Sequence, residues 1–341
     1  VFPRELEREY LRALRGEMSS HDWERPPETV YLGGGTPASM NSADLAELLA
    51  IVPGRPWREA TIEAAPGSIR REQAEVWREA GINRVSMGVQ SFDDSELRRT
   101  GRRHDAAGVA RDVALLRECG LGEISVDLIV GLPGQTEASW GASLDWVARL
   151  DVAHVSVYML EVDEDSRLGR EILGGGLRYG AGSIPRDDDI ARFYEIAVER
   201  LASAGLRRYE ISNFARPGHE SLHNLKYWRL EPYVGFGADA HSFDGAVRWR
   251  NAETAEEYVR DPRRMEATPA CAREERFFVG LRLLEGVVPT AEEAEYWREP
   301  IARLVDAGLL ERAGERLRLT DRGVLLSNEV FEEFIVPCPS G

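Results

Sequence analysis

A glycine run and four side chains in this sequence have the types and positions that could do chemistry. Val30-Tyr31-Leu32 stops at Gly33-Gly34-Gly35-Thr36, an apolar run that opens into backbone unobstructed by any Cβ. Three consecutive glycines are costly to order. The run is either an ordinary turn or a place where a ligand approaches the amides more closely than a side chain permits. Glu63 and Gln90 each stand at the end of a predicted strand, Arg102 follows Gln90 in the next loop, and Asp127 interrupts the apolar run from Ile124 to Val130. A carboxylate within such a run is costly unless it is bonded, so Asp127 is either a site residue or a buried cap on neighbouring amides.

A second cluster lies further on. Arg216-Pro217-Gly218-His219, His223-Asn224-Leu225-Lys226-Tyr227-Trp228 and Gly235-Phe236-Gly237-Ala238-Asp239-Ala240-His241-Ser242-Phe243 hold three of the six histidines and several aromatics. These segments are too rich in glycine for a core helix. Exposed, the rings suit a flat, metal-containing aromatic ligand; otherwise His223 and His241 are structural imidazoles bonded to backbone.

The elements that position these residues alternate. Leu6, Tyr10, Leu11, Leu14 and Met18 recur at helical spacing. Strands are predicted at 60–65, 84–90, 124–130 and 154–160 after the glycine strand. Between them come helices begun at Ser42, marked by Ile69, Val76 and Trp77, stopped at Gly120, and capped by Thr136. Nearly continuous apolar strands alternating with helices predict a parallel sheet, either open and doubly wound or a barrel, with ligands gathering at the strands' carboxyl ends. Gly174 to Ile184 reads as a loop. A helix from Asp187 ends at Gly205, and a last strand is predicted over Tyr209 to Asn213. Beyond residue 262, helices around Phe277 to Leu284, from Thr290, and through Ile301 to Val305 precede a hairpin of Leu309 to Glu311 with Arg316 to Thr320, which suggests a winged helix.

The chain of 341 residues allows a large α/β unit with a smaller appendage. Its net charge of −16 argues against non-specific binding to nucleic acid or anionic membranes, and the winged module lacks a basic cluster, so an interaction or lid role suits it better. No apolar run reaches the ~18 residues of a spanning helix, so a cytoplasmic protein is expected. Cys119, Cys271 and Cys338 have no metal-ligand spacing.

Tyr31-Leu-Gly-Gly-Gly-Thr-Pro, Glu63-Ala-Ala-Pro-Gly, Ser86-Met-Gly-Val-Gln-Ser-Phe, Asp127-Leu-Ile-Val-Gly-Leu-Pro-Gly-Gln-Thr and His223-Asn-Leu-Lys-Tyr-Trp occur in order over nearly the whole chain. Together they resemble the oxygen-independent coproporphyrinogen III oxidase-like family of radical S-adenosylmethionine proteins. The resemblance implies a partial (β/α)6 barrel over 1–215, a connecting segment over 216–262 and a small winged-helix-like domain over 263–341. It implies that Gly34, Gly35 and Thr36 bind the methionyl part of S-adenosylmethionine and that Glu63, Gln90, Arg102 and Asp127 complete the site. In that role Arg102 offers a cationic fork to a carboxylate, while Glu63 and Asp127 accept from ammonium or ribose hydroxyls.

The resemblance also implies a [4Fe-4S] cluster held by Cys-x-x-x-Cys-x-x-Cys ahead of the opening helix. No such spacing occurs in these residues, so the first barrel strand and the cluster ligands are expected before Val1. A smaller departure is Ala65, where the family usually has asparagine. The family divides into oxidases that decarboxylate coproporphyrinogen III with a radical from S-adenosylmethionine, and chaperones that bind heme and pass it to acceptor proteins. His223-Asn224-x-x-Tyr227-Trp228 resembles the heme-binding signature of the chaperones. Heme is then the bound cargo, with His223 nearest the iron and Asn224, Tyr227 and Trp228 around it; His241 is a weaker candidate, and oxidase chemistry is the alternative.

Overall fold

The computed structural model describes residues 3–35, 37–160, 170, 174, 182–262 and 265–335. They fall into two compact units: Glu28–Ala46 with Pro56–Glu220, and Val1–Pro27 with Glu47–Arg55 and Ser221–Gly341.

The first unit is built on a seven-stranded sheet. Strands β1 (Thr29–Leu32), β2 (Glu59–Ala64), β3 (Arg84–Gln90), β4 (Glu123–Val130) and β5 (His154–Met159) lie side by side in chain order and are parallel throughout. Sequential parallel order requires a crossover after every strand. Among the described helices these include Arg71–Glu79, Ala106–Glu118 and Glu137–Leu150. Thr136 caps the last of these, its hydroxyl accepting from Ser139 N at 3.2 Å, and Gly81 and Gly120 close the other two with positive φ.

Three expectations are corrected. The strands are not continuously apolar but alternate. Val85, Met87, Val89, Ile124, Val126, Leu128, Val155 and Val157 form a fully buried face with helix residues such as Trp77, Val109, Leu116 and Trp140, while every other residue of β3 to β5 is polar or glycine up to Asp127 and Tyr158. Tyr209 to Asn213 is not one strand. β6 (Arg207–Arg208) and β7 (Asn213–Ala215) form an antiparallel pair that extends the sheet beyond β5, because buried Glu210 turns the chain by accepting from Ser212 N at 2.8 Å and Asn213 Nδ2 at 2.6 Å. The helix Ser42–Ile51 is capped by Asn41 rather than Ser42, its Oδ1 taking Ala43 N at 2.9 Å. The expected loop from Gly174 to Ile184 lies mostly outside the described residues.

In the second unit the opening helix Arg4–Ser20 packs on helix Ala255–Arg260, with Tyr10 and Tyr258 rings 5.2 Å apart. Glu17 is its anchor. It accepts from Asn251 Nδ2 at 2.7 Å, Gly237 N at 2.9 Å and Tyr258 OH at 2.5 Å, which pins the glycine-rich 235–241 loop. That loop leads into a three-stranded antiparallel sheet of β8 (His241–Phe243), β9 (Val247–Asn251) and β10 (Met265–Pro269). Helices Ala272–Phe278, Ala291–Tyr296 and Arg298–Asp306 and the hairpin β11 (Leu310–Ala313) with β12 (Arg316–Leu319) follow. Phe277, Trp297 and Phe334 make the centre of this module. The helix expected through Leu284 ends at Phe278 and gives way to a 3-10 turn at Gly280–Arg282. Two short helices, Asp321–Leu325 and Ser327–Glu332, complete it.

Gly323 fixes one junction of this module. A Cβ there would lie 1.9 Å from Leu309 O and 2.9 Å from Leu309 C, which are backbone atoms that cannot swing aside. Gly323→Ala is therefore expected to destabilise the appended module by about 3 kcal/mol or more, whereas Gly122→Ala, with nothing within 4 Å of its Cβ, is expected to be near neutral. Urea melts of the two variants against the parent chain check this; equal midpoints would refute it.

Candidate functional site

The alternation of the parallel strands creates a polar face, and its upper rows carry the site. Tyr31 OH donates to Glu63 Oε1 at 2.7 Å across β1 and β2. On β4, Asp127 accepts from Ser86 OH of β3 at 3.0 Å and from Ser156 OH of β5 at 2.8 Å. Burial pushes the Asp127 carboxyl up to about 6, the two hydroxyls pull it back, and the charge of Glu63 adds to the rise. The Tyr31 and Tyr158 phenols are pushed well up by burial and by the same carboxylates, Glu63 first for Tyr31 and Asp127 first for Tyr158. Glu63 and Asp127 thus act on one another electrostatically, flanked by protonated phenols.

Below this row the polar face is closed by structural pairs. Ser125 OH and Tyr209 OH bond the two ring nitrogens of buried His154 at 2.7 and 2.9 Å. Burial first, then the charge of Arg84, hold that imidazole neutral. Arg84 lies 3.7 Å from Glu59 and donates to His219 O at 3.2 Å. These groups make a floor beneath Asp127.

The glycine run divides by cause. A Cβ on Gly33 would come within 2.7 Å of the Tyr31 ring and 3.1 Å of Glu63 Oε1. Gly34 and Gly35 instead have φ of +76° and +57°, with nothing within 4 Å of the position a Cβ would take. Left-handed backbone facing open space is an approach that only glycine offers cheaply. Thr36 lies outside the described residues.

Gln90 ends β3 at φ +70°, after a register shift between Met87 and Gln90. Its Nε2 folds back over Gly88, 3.1 Å from where a Cβ would sit, on the face shared with Ser86. Arg102 is exposed on the loop that follows, its backbone N on Leu97 O at 2.8 Å. Its charge reaches His104, whose imidazole burial holds down and whose Nε2 lies 2.9 Å from Val89 O. The structure therefore couples Glu63 to Asp127 electrostatically and sets Glu63 beside Gly33, while Gln90 lies over Gly88 and Arg102 is exposed on its loop. Tyr31, Ser86, Ser156 and Tyr158 are not among the expected site residues; the two-residue period of β3 and β5 is the signal that finds the last three.

The second cluster is a helix, Leu222–Trp228, capped by Ser221 OH accepting from Asn224 N at 3.3 Å. None of its residues is buried, so it is not a core helix. His223 Nε2 lies 2.8 Å from Tyr227 OH, and the Tyr227 ring meets the edges of His223 and Tyr233 at 4.9 and 4.6 Å. Partial burial of its ring pushes the Tyr227 phenol up to about 12, and Tyr233 adds to it. Trp228 carries the Arg282 guanidinium over its ring at 4.4 Å. His241 is exposed at the start of β8, 4.0 Å from Asp239, and packs on no ring among the described residues.

Residues 4–147 match the model of the Radical SAM superfamily and residues 267–326 that of the HemN C-terminal domain. A parallel β/α sheet with open glycines after its first strand and buried carboxylate chemistry on its polar face defines, with these matches, a radical SAM protein. The chain is 34% identical to the heme chaperone HemW of Bacillus subtilis over 96% of its own length and 91% of that protein, and 30% identical to the heme chaperone HemW of Escherichia coli over 91% and 85%. This chain belongs to the HemW family. Among solved structures it is similar to coproporphyrinogen III oxidase (HemN) from Escherichia coli, a radical SAM enzyme, with TM-score 0.78 at 21% identity, covering 98% of this chain and 85% of that one; the likeness is one of fold.

The family implies S-adenosylmethionine and a [4Fe-4S] cluster. The residues fit the first: the left-handed Gly34 and Gly35 face open space, Gly33 before them lies by Glu63, and Glu63 and Asp127 are two coupled acceptors. They do not fit the second: Cys119 is buried, Cys271 is half-buried, and among the described residues no group of three potential ligands gathers. Nor is any described helix long and apolar enough to cross a membrane.

Proposed function

We propose that this protein is a cytoplasmic heme chaperone, binding heme and transferring it to acceptor proteins, on a scaffold that binds S-adenosylmethionine. The observation that carries the heme reading is the helix Leu222–Trp228, which carries His223, Asn224, Tyr227 and Trp228 half-buried outside the core, with His223 and Tyr227 paired. Likeness to heme chaperones over nearly the whole chain supports it. In this reading the first unit holds S-adenosylmethionine, residues 216–262 hold heme, and residues 263–341 meet the acceptor.

S-adenosylmethionine, when bound, supplies a sulfonium centre and a zwitterionic methionyl group. Gly34, Gly35 and Thr36 would bind that group, Glu63 and Asp127 would accept from its ammonium or ribose hydroxyls, Gln90 would offer an amide, and Arg102 would meet its carboxylate. Tyr31 keeps the Glu63 carboxylate in place, and Ser86 and Ser156 do the same for Asp127. The cluster's thiolates are not among these residues, and no step is assigned to it.

His223→Ala is expected to weaken heme binding about tenfold while leaving S-adenosylmethionine binding unchanged, as read by a Soret titration and by calorimetry on the same preparation. Unchanged heme affinity counts against the site. Efficient conversion of coproporphyrinogen III to a vinyl product by the full-length, cluster-reconstituted protein would make it an oxidase.

A further inference from the structure

The proposed heme site leaves open which atom meets the iron. His223 and Tyr227 are four residues apart and share one face of their helix. His223 Nε2, the ring nitrogen furthest from the backbone and the usual one to take a metal, is already 2.8 Å from Tyr227 OH. Iron on Nε2 requires that bond to break and the phenol to swing away. The phenol is not free to do so: its ring is held by the edges of His223 at 4.9 Å and Tyr233 at 4.6 Å, and Tyr233 OH is itself fixed by Arg248 Nη1 at 3.0 Å. Iron on the phenol oxygen leaves the ring contacts with His223 and Tyr233 as they stand. Ferric iron is hard and favours anionic oxygen, and tyrosine is an established type of heme ligand.

We propose that the protein ligand of ferric heme here is the Tyr227 phenolate oxygen, with His223 serving as the proton acceptor that holds it in place. The inference rests on the heme reading above. On binding, the Tyr227 O–H bond breaks, its proton passes to His223 Nε2, the oxygen bonds the iron, and the water on the iron's axial position leaves. No electron is transferred. The imidazolium then donates back to the phenolate, so the pair seen in the structure persists in the complex with its proton moved. His223 becomes a positioning residue, and its loss weakens binding without changing the ligand.

The test is a ferric-heme titration of the full chain followed by resonance Raman spectroscopy, with protein carrying ring-deuterated tyrosine as the assignment control. Tyrosinate modes that shift on deuteration are expected in the parent. Tyr227→Phe, which keeps the ring packing, should lose those modes and bind ferric heme roughly ten- to a hundredfold more weakly. His223→Ala and His223→Gln should keep them at lower affinity. An imidazole-ligated spectrum that survives in Tyr227→Phe and vanishes in His223→Ala overturns the ligand assignment and leaves the heme reading standing. A parent chain that gives no Soret change with heme overturns both.

Discussion

Asp127→Asn is expected to make the protein more stable at pH 7 while weakening S-adenosylmethionine binding by about tenfold or more. Asp127 is buried on the polar face, and burial raises its carboxyl from an ordinary carboxylate value of 3.8 to about 6. A raised folded-state value means that the folded protein holds the proton more tightly than the unfolded chain does. The contribution to stability is therefore fully present below the unfolded value and lost as pH rises through about 6. A shift of this size amounts to about 3 kcal/mol at neutral pH. Asparagine has the same shape, no charge to bury, and can bond both Ser86 and Ser156, whose hydroxyls rotate to suit it.

The gain should lie between about 1 and 3 kcal/mol at pH 7 and shrink towards zero as pH falls to 4, because there the aspartic acid is neutral too. Urea melts of both proteins from pH 4 to 8 give the comparison, with binding followed by calorimetry. An asparagine variant that is less stable at pH 7, or whose advantage does not change with pH, would show that Asp127 is a structural cap and would remove it from the site.

The same residue shows what was legible in the sequence. The strands containing Gln90 and Asp127 were placed within a residue of their observed limits, because valine and isoleucine runs bounded by glycine are strong signals. The two-sidedness of the sheet is harder to see. Asp127 looked like a single interruption of an apolar strand, although Ser86, Ser125, His154 and Ser156 keep the same alternation. Serine and tyrosine are common in strands, and nothing local marks Ser86 and Ser156 as partners of a carboxylate 41 and 29 positions away. That juxtaposition comes only from parallel register.

The turn at Glu210 was missed for the opposite reason. Tyr-Glu-Ile-Ser-Asn has a strand-like pattern, and the buried carboxylate that bends it bonds its own neighbours, a tertiary outcome that propensity does not encode. Asn41 and Ser42 are both good helix caps, so composition alone could not choose between them.

The glycine run gives the second large effect, and adjacent glycines should answer differently. At Gly33 the obstacle is the protein itself: an added Cβ meets the Tyr31 ring at 2.7 Å and Glu63 Oε1 at 3.1 Å. Gly33→Ala should therefore disturb the Tyr31–Glu63 bond and lower stability and binding together, the former by about 1–3 kcal/mol. At Gly34 the protein leaves room, and the cost is conformational, about 1–2 kcal/mol for a left-handed alanine. Gly205 is the matched reference, with φ +82° and nothing within 4 Å, at the far end of the helix Asp187–Ser203. Gly34→Ala and Gly205→Ala should thus lose similar stability. Only Gly34→Ala should lose affinity for S-adenosylmethionine, by about tenfold or more, and Gly34→Val should lose it almost entirely, since a β-branched side chain both strains the backbone and fills the approach. Calorimetric titration of the three variants beside their melting curves separates conformational cost from ligand contact. If Gly34→Ala binds as well as Gly205→Ala, the open backbone after β1 is a turn and not a cradle.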